Sequence, residues 1–123
     1  MSAITDVEEI IKTNVPQIDK VFTYLIPKAE VSNTSETVAL IREVQVQTDE
    51  EGNNTFNAIS TQLQIQIFLK LDVDFDIEDL QIKLLKLFNN NIYECYSFGG
   101  WYADPDTQQL SNSFYIEKLK YVN

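Results

Sequence analysis

The sequence contains no histidine. That removes the side chain that titrates nearest neutral pH, the Ser-His and Cys-His pairs built on it, and the commonest zinc ligand. It contains one cysteine, Cys95, so no internal disulfide can form, as expected of a reducing compartment. Cys95 stands between Glu94 and Tyr96 with no cation beside it. A thiolate would lack stabilisation there, and the residue reads as a buried structural cysteine. Glycine and proline number three each, which leaves room for long regular elements. Gly52, Gly99 and Gly100 fall in no phosphate-loop spacing. Positive charge is scarce too: 9 Lys and Arg stand against 19 Asp and Glu, a formal charge of −10. A phosphate backbone needs clustered cations, so nucleic-acid binding is not expected. An acidic surface keeps a chain soluble and suits a basic protein partner. No apolar run approaches the roughly 18 residues of a membrane span. Residues 1–15 carry early acids and lack the basic start and apolar centre of a secretion signal.

What is present is the material of a core. The chain has 123 residues, 44% of them hydrophobic, with 7 Phe, 6 Tyr and one Trp. That composition predicts one domain spanning residues 1–123, large enough to fold without disulfide or metal. Residues 3–14 predict an amphipathic helix capped by Thr5, with Val7, Ile10 and Ile11 on its apolar face and Asn14 and Pro16 stopping it. Residues 21–26 (VFTYLI) predict a strand ended by Pro27, and residues 28–36 a polar loop. Residues 38–48 predict a second strand with Val38, Leu40, Val44 and Val46 on one side and Ile41, Glu43, Gln45 and Gln47 on the other. Residues 61–71 alternate Leu63, Ile65, Ile67, Leu69 and Leu71 against Gln62, Gln64, Gln66, Phe68 and Lys70. This is a strand with one buried and one Gln-lined face, forming a hairpin with its predecessor across residues 49–55 (DEEGNNT). Residues 75–89 predict the main helix, with Ile77, Leu80, Leu84, Leu87 and Phe88 at helical spacing, Asp74 or Asp76 as cap, and residues 89–91 (NNN) as terminator. Residues 92–98 and 110–122 predict strands, the last anchored by Phe114, Ile116 and Tyr121. The order α-β-β-β-α-β-β predicts an α+β fold, a mainly antiparallel sheet with two helices packed on one face.

Chemistry is hard to find. Asp72, Asp74 and Asp76 have the spacing that opens a calcium loop, but the glycine position holds Ile77 and the bidentate acid position holds Lys83. The same acids are explained by helix capping and the macrodipole. No carboxylate pair stands out for acid–base work, so no enzyme, cofactor or metal is expected. The sequons at Asn33 and Asn53 read as chance matches. The most singular segment is residues 98–107, which joins the sole Trp to a Gly pair and an Asp-Pro-Asp-Thr turn. Trp101 there is either a lid sealing the core edge or an aromatic anchor at a protein interface.

Four features together resemble the small tail-component families of siphoviruses that include tail terminators, or tail-completion proteins. They are the capped N-terminal helix; the hairpin from LIREVQVQ to STQLQIQIFLK; the helix DIEDLQIKLLKLF; and DPDTQQLSNSFYIEKL. They cover residues 3–121. The resemblance implies a structural protein without catalytic residues. It implies a ring, usually a hexamer of a chain that can be monomeric when free, which caps the tail tube and meets the head–tail connector. The location implied is the virion tail, assembled in the host cytoplasm. The regions nominated for contact are residues 28–36, the hairpin loop with Asp49, Glu50, Glu51, Asn53 and Asn54, and the loop with Phe98, Trp101, Tyr102, Asp104 and Asp106. An acidic hairpin loop would suit a lumen through which DNA passes, since like charge prevents sticking. The alternative from another class is a small acidic adaptor or inhibitor that binds a basic partner protein.

Overall fold

In the computed structural model, residues 2–49 and 58–121 are described. The chain order is helix α1 (Ala3–Asn14), strand β1 (Lys20–Thr23), a short 3-10 helix (Lys28–Glu30), strands β2 (Val38–Asp49) and β3 (Ala58–Phe68), helix α2 (Ile77–Leu87), and strands β4 (Tyr93–Tyr96), β5 (Tyr102–Ala103) and β6 (Leu110–Tyr121). The sheet runs β1-β2-β3-β6-β4, with β5 also beside β6. Every pairing is antiparallel except β1 with β2. This is the expected α+β class and order, with β5 added inside the segment expected to be loop.

Period-2 alternation puts one set of side chains under the helices. Ile41, Ile65 and Phe114 lie opposite one another across β2, β3 and β6, as do Leu63 and Ile116 in the next row. All five are fully buried. Ile4, Val7 and Ile11 of α1 and Leu80 and Leu84 of α2 join them in one cluster, so both helices pack on the same face. Phe114 is central: its ring stacks on Phe98 at 4.6 Å and meets Phe88 at 6.5 Å.

Local chemistry corrects several boundaries. Ser2, not Thr5, caps α1: its hydroxyl accepts the Thr5 N–H at 3.3 Å. Strand β1 stops at Thr23 rather than residue 26, because Tyr24 turns the chain with a positive φ of 72°. Asp76 caps α2, accepting from the N–H groups of Glu78 and Asp79. The asparagines after α2 do more than end it. Asn89 donates to the Leu85 carbonyl and accepts the Cys95 N–H, and Asn90 donates to Leu87 and accepts from Ile92 and Tyr93. They therefore tie the helix end to β4.

The side assignment in β2 also changes. A bulge between Glu43 and Gln45 shifts the register and so reverses which face each later residue occupies. Before it, Ala39 and Ile41 face the helices while Val38 and Leu40 face away. After it, Val46 pairs with Thr61 on the helix side, beyond the core, and is 56% exposed. Val44, in the bulge, is 51% exposed. Leu71 lies past the end of β3 and is exposed, unlike Leu69. The Tyr121 side chain falls outside the described residues. Cys95 is half-buried rather than buried, and burial pushes its thiol pKa up, the opposite of an activated nucleophile.

Truncating the central ring removes contacts on two sides and leaves a cavity. Phe114→Ala should cost about 3–5 kcal/mol in a urea titration; a loss under about 1 kcal/mol would contradict this packing.

Candidate assembly surface

The sheet has two unlike faces. The face away from the helices carries Gln62, Gln64 and Gln66, each half-buried. They are linked across strands: Arg42 donates to the Gln64 carbonyl oxygen at 2.7 Å, Gln64 donates to the Tyr115 hydroxyl at 3.4 Å, and Gln66 donates to Ser111 at 3.3 Å. Tyr115 stacks on Tyr96 at 5.8 Å. On the same face Glu94 lies directly opposite Glu117, a like-charge pair that costs stability across strands. Burial, then Glu117, Tyr115 and Glu94, raise the Tyr96 pKa. This is a laced polar surface, without a helix over it.

At one end of the sheet three segments are pinned together. Gln109 is buried; its amide donates to the Leu69 carbonyl at 3.2 Å and the Asn33 carbonyl at 3.5 Å. Buried Thr37 accepts the Lys70 N–H with its hydroxyl at 3.2 Å, and the Leu71 N–H donates to the Thr34 carbonyl at 3.0 Å. Lys20 pairs with Glu30 at 2.6 Å and Glu36 at 3.1 Å. Lys20 and Asn33 hold the Glu30 carboxyl below its ordinary range, and Asn33 and Lys20 do the same for Glu36. Residues 28–36 are therefore a fastened segment. Between these segments lies a pocket of about 200 Å³ lined chiefly by Ile26, Val38, Phe68, Asp104, Asp106 and Gln109. It is smaller than ordinary cofactor sites of roughly 300–1,000 Å³. Its size and its apolar lining fit one side chain.

The Asp-Pro-Asp-Thr turn builds part of that lining. Asp104 Oδ1 accepts the N–H groups of Asp106 at 2.8 Å and Thr107 at 3.2 Å, and the Asp104 N–H donates to the Gln109 carbonyl at 2.7 Å. This is the side-chain-bonded turn that Asp favours. Asp106 is exposed. Phe98 is half-buried and stacked on Phe114. Trp101 is half-buried against the core, and its indole N–H donates to Gln81 of α2 at 3.4 Å; Tyr102 is exposed on β5. Asn112 fastens this loop by donating to the Gly99 carbonyl at 2.7 Å. Asp49 closes β2, while Glu50, Glu51, Asn53 and Asn54 lie outside the described residues. Of the residues nominated from the sequence, Asp104 and Asp106 line this pocket, while Trp101 packs against the core away from it. Sequence reasoning missed Gln109, Thr37 and Val38 as parts of the same place, because they come from distant segments.

The calcium-like run is accounted for by structure. Asp74 pairs with Lys70 at 2.9 Å, and Asp76 caps α2. Among the described residues, no group of three or more His, Cys, Asp or Glu is placed to hold a metal ion. No described helix is long and apolar enough to cross a membrane.

Asp104→Ala removes an acceptor shared by two backbone N–H groups. It should cost about 1–2 kcal/mol in thermal unfolding, whereas Asp106→Ala should stay within about 0.5 kcal/mol. Equal effects would contradict the turn described.

Comparison with known proteins follows the fold. No curated protein matches the chain. A solved structure described as the sheath/tube terminator of an extracellular contractile injection system, PVC, in its extended state, superposes with a TM-score of 0.51 at 12% identity. The match covers 100% of this chain and 58% of that one, so this chain spans little more than half the length of that terminator. At that identity the likeness is one of fold. The family described as "Protein of unknown function (DUF806)" matches residues 2–120, and the chain belongs to that family.

Proposed function

We propose that this chain is a tail terminator: a contact-making protein of a phage tail that assembles as a ring, caps the tail tube and offers a surface to the head connector. The observation that carries this reading is the match of the whole chain to the fold of a sheath/tube terminator. The four sequence features that resemble siphovirus tail components support the same role. The neighbour belongs to a contractile system, and a non-contractile tail rests on those sequence features alone. The ring is taken to be a hexamer, formed in the virion tail during assembly in the host cytoplasm, from a chain that can be monomeric when free.

The molecule is suited to such a role. Its core is one-sided, its second sheet face is polar and laced, and its loop cluster at the sheet end is held firmly by buried polar side chains. Rigid surfaces bind without a large ordering cost. The side chains with special geometry serve caps, turns and ion pairs.

The test uses the tail tube protein of the phage that carries this chain. Added during tube polymerisation, the chain should give shorter tubes bearing a cap at one end in negative-stain images. Tubes of unchanged length with bare ends would overturn the reading.

A further inference from the structure

We propose that the pocket at the sheet end receives helix α2 of a second copy of this chain, with Lys86 as the side chain that enters it. The inference rests on the ring reading and names the two surfaces that meet in the ring.

The pocket asks for a particular kind of side chain. Its lining joins apolar Ile26, Val38 and Phe68 to the acids Asp104 and Asp106. Glu30, also in the lining, already has its cation in Lys20. Asp104 gives one oxygen to two backbone N–H groups. Asp106 has no ion-pair partner among the described residues. A long aliphatic stem with a cationic tip satisfies both parts: the stem covers the apolar lining and the charge reaches the Asp106 carboxylate.

The chain itself offers few such groups. Lys12, Lys20, Lys70 and Lys118 are held in ion pairs with Glu8, Glu30 and Glu36, Asp74 and Asp6. Lys118 is buried enough to lower its pKa, yet Asp6 and Tyr93 raise it overall, so it is committed to its site. Arg42 and Lys83 donate to Gln64 and Gln17. Lys28 stands within two residues of the pocket residues Ile26 and Glu30 and belongs to the receiving side. The Lys120 side chain lies outside the described residues. Of the described cations Lys86 remains: exposed, and without an ion-pair partner among the described residues. One turn before it, Ile82 is 41% exposed. Residues four apart share a helix face, so Ile82 and Lys86 present an apolar group and a cation side by side. Ile82 then lies against the apolar surface around the pocket mouth while the Lys86 side chain enters.

The two surfaces are different parts of the chain. Each copy gives one and receives the other, a heterologous contact that closes into a ring when the rotation permits. It also supplies local attraction between copies that each carry a charge of −10, which would otherwise repel.

Charge exchange tests it. Sedimentation velocity over rising concentration should show assembly of the unaltered chain. Asp106→Lys or Lys86→Glu alone should raise the half-assembly concentration about tenfold, and the two together should restore it to within about threefold. Both sites are exposed, so the variants should fold, which circular dichroism checks. In a Cys95→Ser background, Asp106→Cys combined with Lys86→Cys should give a ladder of linked subunits on oxidation. Single reversals without effect, or a pair that fails to restore assembly, overturn the contact. A cysteine pair that gives no ladder even on tube ends overturns it too. The ring itself is judged separately, by the capped tubes.

Discussion

The seam of Ile41, Ile65 and Phe114 across three neighbouring strands is the constraint on which the rest depends. These residues are fully buried and directly opposed, so each fixes the register of the next. A slip of one residue would turn the whole set to water. With the seam in place, α1 and α2 have one face to cover, and they cover it with Val7, Ile11, Leu80 and Leu84. The other face carries Val38 and Leu40 near the sheet end and, beyond them, glutamines and tyrosines bonded across strands. The molecule is consequently asymmetric, with its apolar interior closed and a broad polar sheet open.

That asymmetry shapes how the chain meets other molecules. The sheet delivers the starts of β2 and β6 and the end of β3 to one place, where buried Gln109 and Thr37 tie the connecting segments together. The pocket they enclose is fixed in advance. A surface held in this way would lose little entropy on binding, and it leaves Asp106 exposed beside a segment whose Glu30 and Glu36 are paired with Lys20. A ring assembled from such surfaces needs no folding transition in its subunits.

Much of this was legible in the sequence. Helical spacing found Val7, Ile11, Leu80, Leu84 and Phe88, and strict alternation in residues 61–69 found the buried face of β3, since each signal is a direct image of its element's period. The Asp-Pro-Asp-Thr turn was legible because Asp has a specific local partner to bond. Other features were hidden for physical reasons. The bulge at Glu43–Gln45 reverses side-chain parity without any glycine or proline to mark it. Tyr24 ends β1 by a left-handed backbone turn that tyrosine seldom adopts. Thr37 and Gln109 are polar residues whose burial depends on tertiary partners, and no periodicity points to them. The pocket joins segments some 80 residues apart, and Lys86 had a sufficient local explanation at the end of a helix. Two-residue β5 is too short to leave a pattern.

The proposed role is positional: the chain would be built into the end of a tail tube. Cryo-electron microscopy of intact tails, with the map interpreted at the end nearest the head, tests it most directly. The expected map shows a single ring of copies of this fold seated on the last layer of tube, with α2 of each copy turned toward the sheet-end pocket of its neighbour. Tails whose head-proximal end lacks this chain, or in which it occupies the tip or is absent altogether, would contradict it.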